Sequence, residues 1–163
     1  MLILGGTQLG LVEDKLAQIG IDLPTPADPV ANYVPAVRVG DLLYLSGVGP
    51  VSKDDGTSFT GKVGSDLSLE EGYEAARLTC LSIIGRLKKE LGELDRVKRV
   101  VKLLGMVNSG LDFTDHPAVI NGCSDLLVEV FGDNGRHARS AVGVSGLPFD
   151  IPVEIEVIVQ VSD

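Results

Sequence analysis

The strongest hydrophobic pattern of the chain lies near its middle, between Ser68 and Leu91. Apolar residues recur there at steps of three and four, which places them along one face of an amphipathic helix. Ser68 and Glu71 have the spacing of a capping box, which predicts the first turn of this helix. Gly92 follows as a candidate C-cap, because glycine readily adopts the backbone conformation that ends helices. The apolar face comprises Leu69, Tyr73, Ala76, Cys80, Ile83, Leu87 and Leu91.

Two further helices are predicted by shorter patterns of the same kind. Residues 12–19 form a short helical pattern, and Gly20 ends it. The other helix begins near Asp115, with Pro117 in its first turn, where the missing N–H of proline leaves no hydrogen bond unmade. This helix extends to about residue 130, and its apolar positions are Val119, Cys123, Leu126, Leu127 and Val130.

Five segments rich in β-branched and aliphatic residues predict strands. The first two flank Gly40-Asp41 and are typical of a hairpin. We expect the last two to pair as a second hairpin. In the final strand the odd-numbered positions are all Val or Ile, which predicts one buried face. The five strands are residues 34–39, 42–46, 97–107, 138–144 and 153–161.

The resulting element order is hairpin, helix, strand, helix, hairpin, after a short N-terminal segment. This order is compatible with a mixed sheet that has two helices packed on one face. It therefore predicts an α+β two-layer sandwich. The other face of the sheet would stay uncovered in a monomer, and such a patch is typical of an oligomer interface. We therefore expect an N-terminal extension in residues 1–30, a short helix plus a Pro-rich connector, and one α+β domain in residues 31–163.

Composition narrows the class of protein. The chain has 163 residues, one domain in size, with 14 basic and 23 acidic residues and a net charge of −9. A field of that sign repels phosphate backbones and anionic membranes, so we expect neither as a partner. No apolar run approaches the ~20 residues of a membrane span. The first ten residues lack the basic start of a signal peptide, which favours a cytoplasmic protein.

Metal and disulfide chemistry find little support in the sequence. Cys80 and Cys123 are too few for a disulfide framework, and both fall in apolar helical patterns, which favours small core residues. His116 and His137 do not have the spacing of a helical metal pair. We expect no metal site.

Two charged residues in apolar strands are candidates for chemistry. Arg139 lies among small and apolar residues, where a guanidinium needs a carboxylate partner from the protein or from a ligand. Glu154 opens the alternating final strand. From the residues alone, a structural ion pair for Arg139 and a solvated surface position for Glu154 remain open alternatives.

Larger segments resemble a known family. Tyr33 and residues 39–47 (VGDLLYLSG), 120–122 (ING), 138–148 (ARSAVGVSGLP) and 153–157 (VEIEV) are similar to the RidA/YjgF family of enamine/imine deaminases. The resemblance covers about residues 31–161. It implies a chorismate-mutase-like fold and a homotrimer with one pocket in each cleft between subunits.

The resemblance also implies roles for individual residues. Arg139 matches the arginine that holds the substrate carboxylate, and Glu154 matches the glutamate that positions or deprotonates the attacking water. Five further positions are implied to bind the substrate: Tyr33, Ser46, Gly47, Asn121 and Ala141. The implied reaction hydrolyses reactive 2-imino or enamine acids to 2-keto acids and ammonia, without a cofactor.

The sequence departs from the family pattern at two places. Ala141 stands where many deaminase members carry cysteine, and Val48-Gly49 replaces the more usual polar-aliphatic pair. These departures motivate an alternative, a non-catalytic trimer that binds a carboxylate ligand through Arg139 and acts in regulation. A third possibility is an endoribonuclease or translation inhibitor, and the net charge of −9 counts against it.

Overall fold

The computed structural model describes residues 10–26 and 31–163. Its helices are α1 (Leu11–Gln18), α2 (Leu69–Leu91) and α3 (His116–Phe131). The predicted capping box is confirmed: Ser68 Oγ accepts from the Glu71 N–H at 3.1 Å, and the Glu71 carboxylate accepts from the Ser68 N–H at 2.8 Å. Gly92 ends α2 with a φ of 79°, as expected. Residues 1–9 and 27–30 of the predicted extension lie outside the described residues.

The five predicted strands form one mixed sheet in the spatial order β1-β2-β5-β3-β4. Strands β3 and β4 are parallel, and the other neighbours are antiparallel. The bounds of β4 and β5 agree with the prediction, and those of the other strands differ by one or two residues. The strands are β1 (Ala36–Val39), β2 (Leu42–Leu45), β3 (Val97–Asn108), β4 (Ala138–Val144) and β5 (Val153–Val161).

The predicted second hairpin is wrong, because β4 and β5 are not neighbours. Strand β3 lies between them and pairs with both. Helix α3 carries the chain back from the end of β3, so β4 runs parallel to β3 as in a βαβ unit. The connection from β4 to β5 contains a 3-10 turn, Pro148–Asp150, rather than a tight hairpin turn. Strand β5 then enters the sheet between β2 and β3, where both of its edges are paired.

The core lies between the sheet and the pair of helices α2 and α3, so the two-layer α+β prediction is confirmed. The odd-numbered residues of β5 are buried on this helix-facing side, as their alternation predicted. Cys80 and Cys123 are buried free thiols of the core, also as predicted. The helices approach closely at Gly122, where a Cβ atom would meet the Tyr73 carbonyl oxygen. Only glycine fits this crossing.

The opposite face of the sheet, the outer face, is left uncovered by helices among residues 10–26 and 31–163. It carries exposed apolar side chains from β1, β2 and β4, namely Val37, Val39, Tyr44 and Val142. Charged residues such as Glu156 lie among them. An uncovered sheet face was expected, and the homotrimer that would cover it stays a prediction.

Helix α1 is fastened to the domain by specific contacts. The Asp95 carboxylate accepts hydrogen bonds from the N–H groups of Leu11 and Val12, at 2.8 and 3.0 Å. Glu13 forms an ion pair with Lys88 at 2.6 Å, and Leu16 is buried in the core. Burial raises the pKa of Glu13, but hydrogen bonds from Lys88 and from the backbone outweigh it, so the pKa lies below its ordinary value. The short helix of the predicted extension therefore packs as part of the fold.

Within residues 10–26 and 31–163, no helix is both long and apolar enough to cross a bilayer.

Candidate functional site

Glu154 lies near the start of β5 on the outer face of the sheet, directly against Gly47. A Cβ atom on Gly47 would meet the Glu154 carboxylate, so glycine is required for this approach. The neighbouring residues Val48 and Ile155 exchange two backbone hydrogen bonds of 3.1 and 3.0 Å. The loop that follows β2 is thus fixed to β5, and Gly47 and Glu154 are held together.

The environment of Glu154 changes its acidity. Its side chain is half-buried, and burial raises the pKa of the carboxyl above its ordinary value of 4.5. The nearby Glu156 carboxylate raises this pKa further. A carboxylate with a raised pKa is a better proton acceptor than an exposed one, which suits it to activating water.

A cavity of about 440 Å³ opens beside Gly47. Three of the predicted substrate-binding residues line it together, namely Tyr33, Ser46 and Gly47. The hydroxyl of Ser46 donates to the Val34 carbonyl oxygen at 2.7 Å, which holds the segment after Tyr33 against the end of β2. Below, "the cavity" means this space, and Glu154 lies against Gly47, one of the residues that line it.

A second group of predicted residues meets between β4 and α3. Arg139 Nη1 donates to Asn121 Oδ1 at 2.8 Å and to Ser124 Oγ at 3.1 Å. Ala141 lies two residues further along β4 on the same side, opposite Gly105 of β3. Arg139 and Asn121, two of the predicted site residues, are therefore in contact, and the guanidinium is held from α3.

Ser124 also contacts His137, a residue that the sequence did not indicate as functional. Ser124 Oγ and His137 Nε2 are 3.0 Å apart, and His137 Nδ1 is 2.6 Å from the Gly135 carbonyl oxygen. A carbonyl only accepts, so the network assigns the proton of neutral His137 to Nδ1 and makes Nε2 the acceptor of the Ser124 hydroxyl. Asn121, Ser124, His137 and Arg139 form what we call the arginine cluster.

The acidity of His137 agrees with this assignment. Burial lowers the pKa of its imidazole, and the positive charge of Arg139 lowers it too, against an opposing effect of the Gly135 carbonyl. Neutral imidazole is thus favoured at neutral pH. Two periodicities could have indicated these residues: His137 precedes Arg139 by the strand period of two, and Ser124 follows Asn121 by the helical step of three.

The cavity and the arginine cluster lie far apart within one chain. Arg139 pairs with Leu103 of β3, while Glu154 pairs with Met106 of the same strand. An offset of three residues places the two side chains on opposite faces of the sheet. With ~3.3 Å per residue and ~4.8 Å between strands, their backbones are roughly 14 Å apart. One chain therefore does not bring Arg139 and Glu154 to the same small ligand.

Among residues 10–26 and 31–163, no three or more His, Cys, Asp or Glu side chains are grouped so that they could bind a metal ion.

Comparisons with known proteins define the class. Residues 13–155 match the family described as "YjgF/chorismate mutase-like, putative endoribonuclease". The chain is 46% identical to protein TCP17 of Trypanosoma cruzi, over 94% of this chain and 96% of that one. It is 26% identical to a 2-iminobutanoate/2-iminopropanoate deaminase of Dermatophagoides farinae, over 87% and 95% of the two chains.

A solved structure agrees in fold. A protein described as a "putative endoribonuclease" from Shewanella oneidensis MR-1 superposes with a TM-score of 0.87 at 34% identity, over 92% of this chain and 99% of that one. The chain belongs to the YjgF/RidA family and has its chorismate-mutase-like α+β fold, which confirms the resemblance. The family match begins at residue 13, inside α1, and the domain boundary at residue 30 stays a prediction.

Proposed function

We propose that the protein hydrolyses reactive 2-imino or enamine acids to 2-keto acids and ammonia, as a 2-iminobutanoate/2-iminopropanoate deaminase-like hydrolase. The observation that supports this proposal best is the state of two residues at positions expected for the family's site. The guanidinium of Arg139 is fixed by two hydrogen bonds, and the carboxyl of Glu154 has a raised pKa. The relative from Dermatophagoides farinae, a deaminase by name, supports the reaction class.

The proposed site is shared between subunits. Arg139 and Glu154 lie on opposite faces of one sheet, so a second copy must supply the partner group. The exposed apolar side chains of the outer face offer the surface for such an assembly, and exposed patches of this kind are typical of oligomer interfaces. We therefore propose a homotrimer in which the arginine cluster of each subunit completes the cavity of its neighbour.

Arg139 binds the carboxylate of the substrate in this proposal. A guanidinium has five N–H donors in one plane, and Asn121 and Ser124 receive their hydrogen bonds from Nη1. These contacts fix the plane of the group, so that a bidentate pair of donors meets the substrate carboxylate. The imine carbon, adjacent to that carboxylate, is then held in a defined place.

Glu154 activates water for attack on this carbon. The water oxygen bonds to the carbon of the protonated imine while Glu154 takes one water proton, so that C=NH2+ becomes C(OH)–NH2. Glu154 gives this proton to the nitrogen, the C–N bond breaks with loss of ammonia, and the Glu154 carboxylate takes the hydroxyl proton to leave the keto acid. The imine is already electrophilic, so the reaction needs positioning and proton transfer rather than a cofactor.

A coupled assay tests the proposal. An amino-acid oxidase generates the 2-imino acid, and release of keto acid is compared with and without the protein. We expect faster release with the wild-type chain, and a rate near the buffer control with Arg139→Ala or Glu154→Gln. Release no faster than in buffer, for several amino acids, would contradict the proposal. If calorimetry then shows keto-acid binding that Arg139→Ala abolishes, the non-catalytic binding trimer is the better description.

Cleavage of RNA is checked in the same set of experiments. We expect none above background, because the net charge of −9 opposes binding of a phosphate backbone. Specific cleavage that Arg139→Ala abolishes would favour the endoribonuclease instead.

A further inference from the structure

The cavity continues well beyond the predicted substrate-binding residues. Its far wall is formed by Pro24, Thr25 and Pro26 of the N-terminal segment and by Pro50 and Val51 of the loop after β2. These residues enclose the cavity together with Ser46 and Gly47.

This wall is built by specific packing. The Pro24 carbonyl oxygen lies so close to Gly85 of α2 that a Cβ there would approach it to 2.6 Å. On the opposite side, Ser82 Oγ donates to the Gly49 carbonyl oxygen at 2.9 Å and fixes the loop that follows β2. Together with the contacts of α1, these interactions hold the segment before residue 26 against α2.

The lining is mostly apolar. Pro24, Pro26, Pro35, Val48, Pro50 and Val51 contribute hydrocarbon surface. Of the polar members, Ser82 already donates to the backbone, and Arg86 has an interaction of its own. Pockets lined in this way bind apolar groups of their ligands and use few polar groups for orientation.

An aromatic ring stands at the mouth of the cavity. Phe149 lines it, is largely exposed, and has a φ of 57°, a left-handed conformation that bulky residues rarely adopt. The adjacent Asp150 holds this turn, since its carboxylate accepts from Asn108 Nδ2 at 3.1 Å and its carbonyl oxygen accepts from the Gly61 N–H at 2.8 Å. A strained backbone that presents an aromatic side chain at a pocket is a sign of function.

We infer that the preferred substrates are 2-imino acids with a sizeable apolar side chain, such as those derived from leucine, methionine or phenylalanine. This inference rests on the proposed function. A volume of about 440 Å³ would hold about fifteen water molecules at ~30 Å³ each. A four-carbon imino acid has only seven non-hydrogen atoms and would leave much of the cavity unfilled. A branched or aromatic side chain fills more of this volume, which Phe149 also lines.

The test compares imino acids that an amino-acid oxidase makes from alanine, leucine and phenylalanine. We expect kcat/KM for the leucine-derived substrate to exceed that for the alanine-derived one by about tenfold or more, at about fourfold per buried methylene. Val51→Trp, which narrows the cavity, is expected to lower kcat/KM for the leucine-derived substrate more than for the alanine-derived one and so to remove this preference. Phe149→Ala should lower kcat/KM most for the larger substrates. Leu111→Trp, a fully exposed position outside the cavity, is the matched control.

Equal or higher kcat/KM for the alanine-derived substrate overturns the inference while leaving the proposed reaction intact. If no imino acid is hydrolysed, the proposed reaction fails, and calorimetry with the corresponding keto acids still decides the ligand class. If 4-methyl-2-oxopentanoate binds more tightly than pyruvate, and Val51→Trp loses this difference, the result supports the cavity as the binding site of the apolar side chain. Tighter binding of 2-oxoglutarate than of 4-methyl-2-oxopentanoate contradicts it, because an apolar cavity does not favour a second carboxylate.

The arginine cluster carries a second inference, independent of the cavity. Ser124 Oγ accepts from Arg139 Nη1, and its own proton is directed to His137 Nε2, whose other nitrogen is fixed by the Gly135 carbonyl. The contacts thus run from Arg139 through the Ser124 hydroxyl to His137. We propose that Ser124 and His137 are positioning residues that hold Arg139 for binding the substrate carboxylate, which again rests on the proposed function.

Variants separate positioning from a merely structural role. His137→Leu removes the acceptor of the Ser124 hydroxyl, and we expect KM to rise about tenfold while kcat changes less than about threefold, since loss of one buried hydrogen bond has effects of this size. His137→Gln, whose amide oxygen can accept from Ser124, should restore KM. The dissociation constant of pyruvate, measured by calorimetry, should follow KM.

Pyruvate binding by His137→Leu is interpreted by comparison with pyruvate binding by Arg139→Ala. If Arg139→Ala abolishes pyruvate binding and His137→Leu binds as the wild type does, the positioning role is wrong and the proposed function stands. If Arg139→Ala also leaves binding unchanged, both are wrong.

Discussion

Arg139 and Glu154 lie on opposite faces of one sheet, with strand β3 between them. The guanidinium faces α3, where Asn121 and Ser124 hold it, and the carboxylate faces outward against Gly47. A small imino acid cannot reach both groups within one chain. The separation explains why a site assembled from two copies is the central element of the proposed mechanism.

The guanidinium geometry predicts the effect of a conservative change at Arg139. Arg139→Lys keeps the positive charge but removes the planar pair of donors. We expect the dissociation constant of pyruvate to rise about tenfold to a hundredfold, because a hydrogen bond to a charged group contributes about 1.5–3 kcal/mol. Calorimetry measures this directly. Unchanged affinity in Arg139→Lys would show that a point charge is sufficient and that bidentate binding is not used.

The raised pKa of Glu154 predicts a pH-dependent effect on stability. Between its ordinary value of 4.5 and the raised pKa, the folded state binds more protons than the unfolded state, so the free energy of unfolding falls as pH rises through this window. Below pH 4.5 the carboxyl is protonated in both states, and the difference disappears.

Glu154→Gln removes this titration. We therefore expect it to raise the free energy of unfolding at pH 7 relative to the wild type, with a smaller advantage at pH 4. Urea unfolding at the two pH values measures the difference. A variant less stable than the wild type at pH 7 would indicate that the ionised carboxylate is stabilised in the fold, against the raised pKa.

The contact of Gly47 with Glu154 predicts a loss of activity without loss of the fold. In Gly47→Ala the new methyl group meets the carboxylate, and Glu154 must move aside. We expect kcat to fall about a hundredfold, since displacement of a catalytic group by ~1 Å has effects of that size. Gly146→Ala is the matched control, because a Cβ there has no atom within 4 Å. Equal kcat in the two variants would remove Glu154 from the reaction.

The crossing of α2 and α3 predicts a large effect on stability. In Gly122→Ala the methyl group meets the Tyr73 carbonyl oxygen, and backbone cannot yield as a flexible side chain does. We expect the free energy of unfolding to fall by about 1–3 kcal/mol, the range for overpacked cores. Urea unfolding, with Gly146→Ala as the control, measures it. A fall of less than the control's would mean that the helices separate freely at this point.

Much of the fold could be predicted because its signals are local. The capping box at Ser68 fixed the start of α2, and the alternation of residues 153–161 fixed the buried face of β5. The order of the strands could not be predicted in the same way, because it depends on long-range pairing. The expected second hairpin was wrong for this reason. Strand β5 pairs with β2 and β3, and the sequence of β5 alone does not indicate which strands pair with it.

The candidate site was predicted to a similar extent. Resemblance to the family indicated Arg139 and Glu154, and the structure brings Asn121 to Arg139 and Gly47 to Glu154. Arg139 and Glu154 lie on opposite faces because β4 and β5 pair with β3 in a particular register, and the sequence does not show that register. His137 was considered only as a metal ligand, because its contact with Ser124 joins residues from two separate elements.

Complementation between two inactive variants tests the shared site most directly. Arg139→Ala and Glu154→Gln are unfolded together in equal amounts, refolded, and assayed for release of keto acid, with each variant refolded alone as the control. If the site joins Arg139 of one subunit to Glu154 of the next, about one quarter of the sites in randomly mixed trimers contain both groups. We therefore predict about a quarter of the wild-type activity in the mixture and none in the controls. An inactive mixture of correctly folded oligomers would contradict a site shared between subunits.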